Sequence, residues 1–318
     1  MATAAAGVAA ALSPLSGRDY LSSADCSAEG TVALLDLAAQ LKSGDRRIDL
    51  GNRVLGLIFT KASTRTRVSF QVAMARLGGQ TVDLNPSVTQ LGRGEPLEDT
   101  ARVLSRYCDV LAIRTFAQQE LVDYAYWASV PVINALTDLE HPCQALADFL
   151  TMREAHGELA GQTLAYIGDG NNVAHSLMLC GALLGVNVRI GCPEGFEPLP
   201  GVLDQARDLA QHGASIDVIT DPAQAVAGAQ AVYTDVWASM GQETEQAERE
   251  QAFSGFCVDE ALMDQAASDA IVLHCLPAHR GEEISAEVME SAASRIFDQA
   301  ENRLHAQQAL LASLMGGL

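Results

Sequence analysis

The residues best suited to chemistry form one short polar run near the start of the chain. The run reads Ser63-Thr64-Arg65-Thr66-Arg67, between an apolar stretch at residues 54–59 and a helical pattern over residues 68–77. A buried strand is thus predicted to turn directly into a helix. The first turn of a helix offers unpaired backbone N–H groups and the positive end of its dipole, and arginine adds a two-pronged donor for oxyanions. The run therefore predicts a phosphate site, with an ordinary helix N-cap as the alternative.

A second group of donors is predicted at the ends of neighbouring strands. Arg114 ends one predicted strand, and the His-Pro-Cys-Gln run at residues 141–144 follows another at residues 130–134. In open α/β sheets, ligands bind beyond the carboxyl ends of the strands. Arg114, His141 and Gln144 would therefore converge on one small ligand, where they suit a carbonyl oxygen that gains negative charge. The alternative for a single histidine before proline is a structural role.

The second half carries three further polar runs, each predicted to follow a strand. They are Gly168-Asp169-Gly170-Asn171-Asn172, Asp235-Val236-Trp237-Ala238-Ser239-Met240-Gly241 and His274-Cys275-Leu276-Pro277-Ala278-His279-Arg280. The first resembles a dinucleotide fingerprint without its third glycine, which keeps a nicotinamide-dependent dehydrogenase as an alternative. In the second, Asp235 can hold a cation and the residues after Ala238 are typical of a mobile loop. The third leaves a zinc site or a cysteine–histidine nucleophile as alternatives, although its spacing fits no zinc pattern.

Length and composition limit the classes of protein that this chain can be. Its 318 residues, 48% of them hydrophobic, suit two domains of ordinary size. The seven cysteines are scattered with no C-x-x-C spacing, which indicates reduced thiols and a cytoplasmic location. No apolar run reaches 18 residues, so no membrane span is predicted. Residues 2–16 are rich in alanine and lack the basic start of a signal peptide, so a disordered leader is predicted there.

The net charge of −20 is concentrated in the second half of the chain. Residues 1–153 hold 14 basic and 16 acidic side chains, whereas residues 154–294 hold 4 basic and 22 acidic ones. So acidic a surface argues against nucleic acid as a partner. Eight of the 20 basic residues lie between Lys61 and Arg114, so the first half can attract an anion while the second half suits a cation. The alternative is that the acidic half serves solubility alone.

Strand-like and helical segments alternate along the whole chain. Strands are predicted at residues 54–59, 80–84, 109–114, 130–134, 163–168, 186–191, 214–219, 230–235 and 271–275. This alternation predicts an α/β protein of two domains, each a parallel sheet flanked by helices, joined by interdomain helices. The predicted boundaries are a leader at 1–16, a first domain at 17–146, a second at 147–293, and a C-terminal helix at 294–318 that packs back on the first domain.

Taken together and in this order, the motifs resemble the aspartate/ornithine carbamoyltransferase family over residues 15–311. The resemblance implies that the first domain binds carbamoyl phosphate and the second binds ornithine. The implied carbamoyl-phosphate ligands are Ser63, Thr64, Arg65, Thr66, Gln90, Arg114, His141, Pro142, Cys143, Gln144, Cys275, Leu276 and Arg303. The implied ornithine ligands are Asn172, Asp235, Ser239 and Met240. The implied catalytic residues are Arg114, His141, Asp235 and Cys275.

The resemblance also implies a reaction and an assembly. The side-chain amine of L-ornithine would take the carbamoyl group of carbamoyl phosphate, giving L-citrulline and phosphate, with no metal, cofactor or covalent intermediate. The Asp-x-x-x-Ser-Met-Gly pattern at residues 235–241 separates the family's ornithine enzymes from its aspartate enzymes. The nearest alternative is carbamoyl transfer to acetylornithine or putrescine, and another is a catalytically silent homologue. In the family, the residue that matches Gln90 comes from a neighbouring subunit, which implies a homotrimer.

Overall fold

The structure, a computed structural model, describes residues 2–85, 94–238 and 246–318. The chain divides into two compact units. Unit 1 comprises Met1–Ala147 and Asn302–Leu318, and unit 2 comprises Asp148–Glu301. Each contains one parallel sheet with helices around it, which confirms the predicted α/β class.

Unit 1 is built on a four-stranded parallel sheet in the order β2-β1-β3-β4. Its strands are β1 (Val54–Phe59), β2 (Gln80–Leu84), β3 (Val110–Arg114) and β4 (Val132–Leu136). The helices are α1 (Ala2–Leu12), α2 (Ala28–Ser43), α3 (Arg65–Arg76), α4 (Leu97–Leu104), α5 (Gln118–Trp127) and α6 (Pro142–His156), which continues into unit 2. The central strands β1 and β3 are buried on both faces, as their uninterrupted apolar sequences predict.

Unit 2 is built on a five-stranded parallel sheet in the order β7-β6-β5-β8-β9. Its strands are β5 (Thr163–Ile167), β6 (Asn187–Gly191), β7 (Ile216–Ile219), β8 (Ala231–Thr234) and β9 (Ile271–His274). The helices are α7 (Asn172–Leu183), α8 (Pro200–Leu209), α9 (Pro222–Val226), α10 (Gln246–Ala252), α11 (Glu260–Met263), α12 (Ala286–Met289) and α13 (Ile296–Leu314), which ends in unit 1. Among the described residues, the helices do not combine the length and the apolar sequence that a membrane span requires.

The predicted leader differs from the structure. Instead of a disordered segment, residues 1–16 contain α1 and a short 3-10 helix at Ser13–Leu15. Leu12 is fully buried and Leu15 nearly so, and α1 lies against α2. Alanine is the best helix former, and the spaced apolar side chains give the helix a face to bury, which outweighs the absence of charged residues that suggested disorder.

Candidate functional site

The predicted phosphate turn lies at the carboxyl end of β1, where α3 begins. Thr64 occupies the N-cap position of α3, but no side chain makes a capping hydrogen bond there. An ordinary N-cap, in which the side chain of Thr64 would accept from the first N–H groups of α3, is therefore not what this turn shows. Arg114, at the end of the adjacent strand β3, donates from Nη1 to Ser63 Oγ at 3.4 Å. Side chains from two neighbouring strand ends thus meet at one place.

Arg303 connects the phosphate turn to the start of α6. It donates from Nη2 to Thr66 Oγ1 and from Nη1 to Gln144 Oε1, both at 2.7 Å. All three side chains are at least 95% buried, so their hydrogen bonds are shielded from water. Because Thr66 accepts from Arg303, its own O–H hydrogen can be donated elsewhere. The planar guanidinium fixes the directions of both partners at once, which an ammonium could not do as rigidly.

His141 is held in its neutral form by its surroundings. Burial is the main cause that lowers its pKa well below the usual value, and the charges of Arg303, Arg114 and Arg65 lower the pKa further. A neutral imidazole carries one N–H donor and adds no further positive charge beside the three arginines. Three cations and a neutral donor therefore occur together in unit 1. This combination suits a phosphate together with a carbonyl oxygen that gains charge.

The two residues after His141 have mainly structural contacts. Pro142 is the first residue of α6, a position that needs no backbone N–H. The buried thiol of Cys143 donates to the carbonyl oxygen of Asn134 at 3.4 Å, and burial raises its pKa to about 12. Cys143 is therefore a protonated thiol, and the contacts of these two residues with carbamoyl phosphate stay a prediction.

Asp235 is the centre of the polar cluster in unit 2. It follows β8, is 6% exposed, and accepts three hydrogen bonds. The donors are Cys275 Sγ at 2.9 Å, the backbone N–H of Val236 at 2.8 Å and Asn171 Nδ2 at 3.1 Å. These three bonds fix the direction of the carboxylate, whose negative charge suits the attraction of a cationic ligand.

Asn171 is a residue of this cluster that the sequence did not single out. Its Oδ1 caps α7 by accepting from the N–H groups of Val173 and Ala174, while its Nδ2 donates to Asp235. The predicted ligand Asn172 is the first residue of α7 and is half-buried. An Asn-Asn pair at a helix start is the signal that could have identified both roles, because one member must cap the helix.

Cys275 is a hydrogen-bond donor rather than a nucleophile. Burial, together with the charge of Asp235, raises the pKa of its thiol well above the usual value. A thiol that stays protonated is a poor nucleophile, so the alternative of a cysteine–histidine pair finds no support. The contacts of Cys275 and Leu276 with carbamoyl phosphate stay a prediction, since both lie in unit 2.

A buried histidine–glutamate pair holds the segment that follows Cys275. The N–H of Leu276 donates to His274 Nδ1 at 2.8 Å, so Nε2 carries the ring hydrogen and donates to Glu283 at 2.9 Å. Both side chains are fully buried. Glu283 also accepts from the N–H of His279 at 2.6 Å. These bonds fix Leu276 in a left-handed conformation, with φ of 60°, that leucine rarely adopts without such support.

The hydrogen bonds of His274 argue against the alternative of a zinc site. One potential ligand atom from each of Asp235, His274 and Cys275 lies within 4.8 Å of the others. However, both ring nitrogens of His274 are used by Leu276 and Glu283. Ligation of a metal by His274 would break one of these buried hydrogen bonds, which hold the backbone after β9. The hydrogen bonds of His274 therefore favour a structural role.

The glycine turn after β5 is filled by the protein's own backbone. A Cβ atom at Gly170 would lie 2.2 Å from the nitrogen of Pro198, and the N–H of Gly170 donates to Phe196 O at 2.8 Å. Glycine is needed here for this close approach and not for that of a pyrophosphate. The dehydrogenase alternative thereby loses the feature that suggested it.

Three of the predicted ligands, Gln90, Ser239 and Met240, lie outside the described residues. The others fall into two groups. Ser63, Thr64, Arg65, Thr66, Arg114, His141, Pro142, Cys143, Gln144 and Arg303 lie in unit 1, whereas Asn172, Asp235, Cys275 and Leu276 lie in unit 2.

Both parts of the chain match family models. Residues 18–154 match the model described as "Aspartate/ornithine carbamoyltransferase, carbamoyl-P binding domain", and residues 160–314 match that of the "Asp/Orn binding domain". Over 318 residues, 100% of each chain, the sequence is 90% identical to the ornithine carbamoyltransferase of Parasynechococcus marenigrum.

Solved structures of ornithine carbamoyltransferases are similar to the chain over nearly its full length. The structure from Pyrococcus furiosus has a TM-score of 0.91 at 49% identity, covering 96% of this chain and 99% of that one. The structure from Gloeobacter violaceus has a TM-score of 0.86 at 56% identity, covering 94% and 98%.

Proposed function

The chain belongs to the aspartate/ornithine carbamoyltransferase family, and from this premise we propose that it transfers the carbamoyl group of carbamoyl phosphate to the side-chain amine of L-ornithine. The products are L-citrulline and phosphate. The observation that carries the proposal is the pair of polar clusters, one of arginines around a neutral histidine in unit 1 and one around a buried carboxylate in unit 2.

The unit 1 residues bind the donor and stabilise charge that develops on it. Arg65 and the start of α3 bind the phosphate, which leaves as an anion. Arg114, neutral His141 and the hydroxyl of Thr66 donate to the carbonyl oxygen as the amine attacks. Arg303 acts on the same oxygen indirectly, because it orients Thr66. These donors are fixed before the reaction, so little reorganisation is required in the transition state.

The unit 2 residues bind and orient the acceptor. A free alkylamine titrates near pH ~10, so ornithine arrives as an ammonium and must lose a proton before it attacks. Asp235 attracts the ammonium, and the thiol of Cys275 together with Asn171 fixes the direction of the carboxylate. Asn172, with Ser239 and Met240, binds the rest of the amino acid. The departing phosphate is the final proton acceptor.

Comparing acceptors in one assay tests the proposed function. We expect citrulline to form from carbamoyl phosphate and ornithine with a kcat/KM at least about tenfold above that for aspartate, acetylornithine or putrescine, a difference of ~1.4 kcal/mol. A higher kcat/KM for another amine would show that this amine, and not ornithine, is the acceptor. The absence of product with every amine would favour a silent homologue, and a nicotinamide absorbance change would favour a dehydrogenase.

We propose that the chain acts as a homotrimer in which Gln90 completes the carbamoyl-phosphate site of a neighbouring subunit. An exposed apolar surface supports this assembly. Val68 and Val72 lie one turn apart on α3, and Val82 lies on the edge strand β2 beside that helix; they are 49%, 37% and 45% exposed. An edge strand and an apolar helix face next to a binding turn are features that association would cover.

Mixing two inactive variants tests the shared site. In a trimer of Gln90→Ala and Arg65→Ala chains, a site that takes Arg65 from one chain and Gln90 from the other has neither defect. We expect the remixed variants to recover activity well above the sum of the separate ones, and light scattering to give three times the chain mass of 33.6 kDa. A monomer, or a mixture that recovers nothing, would contradict the shared site.

The same proposal includes a cytoplasmic location and a role in arginine metabolism. All seven cysteines are free thiols, as a reducing cytoplasm favours. Citrulline formation serves arginine biosynthesis, and the reverse reaction would serve ornithine recovery.

A further inference from the structure

Lys61 is a primary amine at the edge of the phosphate turn. The chain has only two lysines, Lys42 and Lys61, among its 20 basic residues. Lys42 is occupied elsewhere, since its Nζ donates to Asn302 Oδ1 at 2.7 Å. Lys61 follows β1 by two residues and precedes Ser63 by two. The chain therefore has one lysine beside the candidate carbamoyl-phosphate site and a second that serves as an internal control.

Hydrogen bonds on both sides of Lys61 keep it close to Arg114. The N–H and the hydroxyl of Thr60 both donate to the carbonyl oxygen of Arg114, at 2.9 and 3.1 Å, while the guanidinium of Arg114 donates to Ser63. The Nζ atom of Lys61 lies 3.9 Å from the ring centroid of Phe116, which follows β3. The amine thus lies at the carboxyl ends of β1 and β3, the same edge that carries the phosphate donors.

Burial and charge act on the amine of Lys61 in the direction of its neutral form, whereas the ring face of Phe116 stabilises the ammonium form. Burial is the first cause that lowers the pKa of this amine, the positive charge of Arg114 is the second, and Asp138 acts in the opposite direction. A neutral alkylamine is a nucleophile, whereas an ammonium is not. The acceptor of the proposed reaction, the ornithine side chain, is an amine of the same class. A carbamoyl donor bound beside Lys61 therefore meets a second amine of that class within the protein itself.

We propose that Lys61 is a carbamoylation site, modified by carbamoyl phosphate bound at the adjacent turn when ornithine is absent. The lone pair of Nζ forms a bond to the carbamoyl carbon, and the bond from that carbon to the phosphate oxygen breaks with its electrons going to the phosphate. The proton lost by the amine goes to the phosphate or to water. The product is a neutral Nζ-carbamoyl-lysine. The inference rests on the proposed function, because it needs carbamoyl phosphate in unit 1.

The modification removes one positive charge next to Arg114. Unlike acetylation by another enzyme, it needs only the protein's own substrate. Weaker attraction of the dianionic donor follows, so activity declines when carbamoyl phosphate accumulates without an acceptor. Ornithine should protect the protein, since it consumes the donor before Lys61 reacts.

Mass spectrometry tests the proposal. The intact protein is incubated with carbamoyl phosphate and then digested, and the modification of each lysine is measured in its peptide. Lys61 should gain a carbamoyl group at least about tenfold faster than Lys42, because a bound donor has a high effective concentration. Excess inorganic phosphate, which competes for the turn, should slow the reaction at Lys61 and leave Lys42 unchanged. A parallel sample receives cyanate alone, at the concentration that carbamoyl phosphate releases, and should modify Lys61 more slowly. Equal rates at the two lysines, no effect of phosphate, or equal modification by cyanate alone would overturn the proposal.

A pair of lysine variants gives an independent measurement. Lys61→Arg keeps the positive charge without the reactive amine, and Lys42→Arg is the matched control. After incubation with carbamoyl phosphate, Lys61→Arg should retain its own starting activity while wild type and Lys42→Arg lose theirs. The same loss in all three would show that Lys61 is not the responsible site. A protein that gains the adduct at Lys61 but forms no citrulline would contradict the proposed function and leave this site established.

Discussion

Replacing Arg65 with alanine is expected to lower kcat/KM by more than tenfold while the protein stays folded. Arg65 is the first residue of α3, and its side chain is exposed at the helix start, where the side chain of Thr64 makes no capping hydrogen bond. A guanidinium there provides two parallel hydrogen bonds to a phosphate, whereas the nearby guanidinium groups of Arg114 and Arg303 already donate to Ser63 and to Thr66 and Gln144. Tenfold corresponds to ~1.4 kcal/mol of transition-state binding, a lower limit for the loss of a charged, two-pronged contact.

The matched control for this variant is Arg76→Ala at the opposite end of the same helix. Arg76 is exposed in the last turn of α3, so its loss removes the same charge from the same element at a distance from the turn. Steady-state kinetics should show near-normal activity for Arg76→Ala, and circular dichroism should be alike for both variants. An Arg65→Ala protein that keeps more than about a tenth of kcat/KM would remove Arg65 from the phosphate site.

Asp235→Asn is expected to lower kcat/KM for ornithine by about ten- to a hundredfold, or more, and to leave the affinity for carbamoyl phosphate nearly unchanged. The substitution retains the shape of the side chain but removes the charge that the thiol of Cys275 and Asn171 now orient. A charge-assisted hydrogen bond contributes roughly 1.5–3 kcal/mol, which gives this range. The two effects are separable because carbamoyl-phosphate binding can be measured without ornithine, by calorimetry.

The Asp217→Asn variant serves as the control for the general charge of unit 2. Asp217 lies exposed on the edge strand β7, so the variant makes the same change in net charge away from the cluster. Exposed charges are screened beyond about 8 Å at physiological salt, and Asp217→Asn should therefore behave like wild type. If both variants lowered activity equally, the combined negative charge of the acidic residues in unit 2, and not Asp235 itself, would attract ornithine. If Asp235→Asn kept wild-type kinetics, Asp235 would have a structural role at the end of β8.

The sequence predicted the sheets well, because parallel strands buried on both faces are continuous apolar runs. All nine predicted strands are present with end points within two residues, as in β1 at Val54–Phe59. Motifs at strand ends were equally predictable, since each polar turn directly follows such a run. The leader was not, because the burial of Leu12 depends on the partner helix α2, which local composition does not reveal.

Supporting residues of the clusters were the least predictable part. Glu283 lies nine positions after His274 in the chain, and only the turn between them brings the two together. The direction of that hydrogen bond depends on which ring nitrogen accepts from Leu276, a property that no residue pattern encodes. The hydrogen bond from Arg303 to Thr66 joins positions 237 residues apart. The sequence therefore indicated Thr66 as a ligand but not the contact that orients its side chain.

Isotope labelling tests the central claim most directly, because it shows which bond is formed. The protein is supplied with carbamoyl phosphate carrying carbon-13 and with ornithine carrying nitrogen-15 at its side-chain amine, and the product is observed by NMR. The account predicts citrulline with a one-bond coupling between the two labels, and one inorganic phosphate released for each citrulline formed. Carbon-13 found only in breakdown products of carbamoyl phosphate, or bonded to the unlabelled α-amine of ornithine, would contradict it.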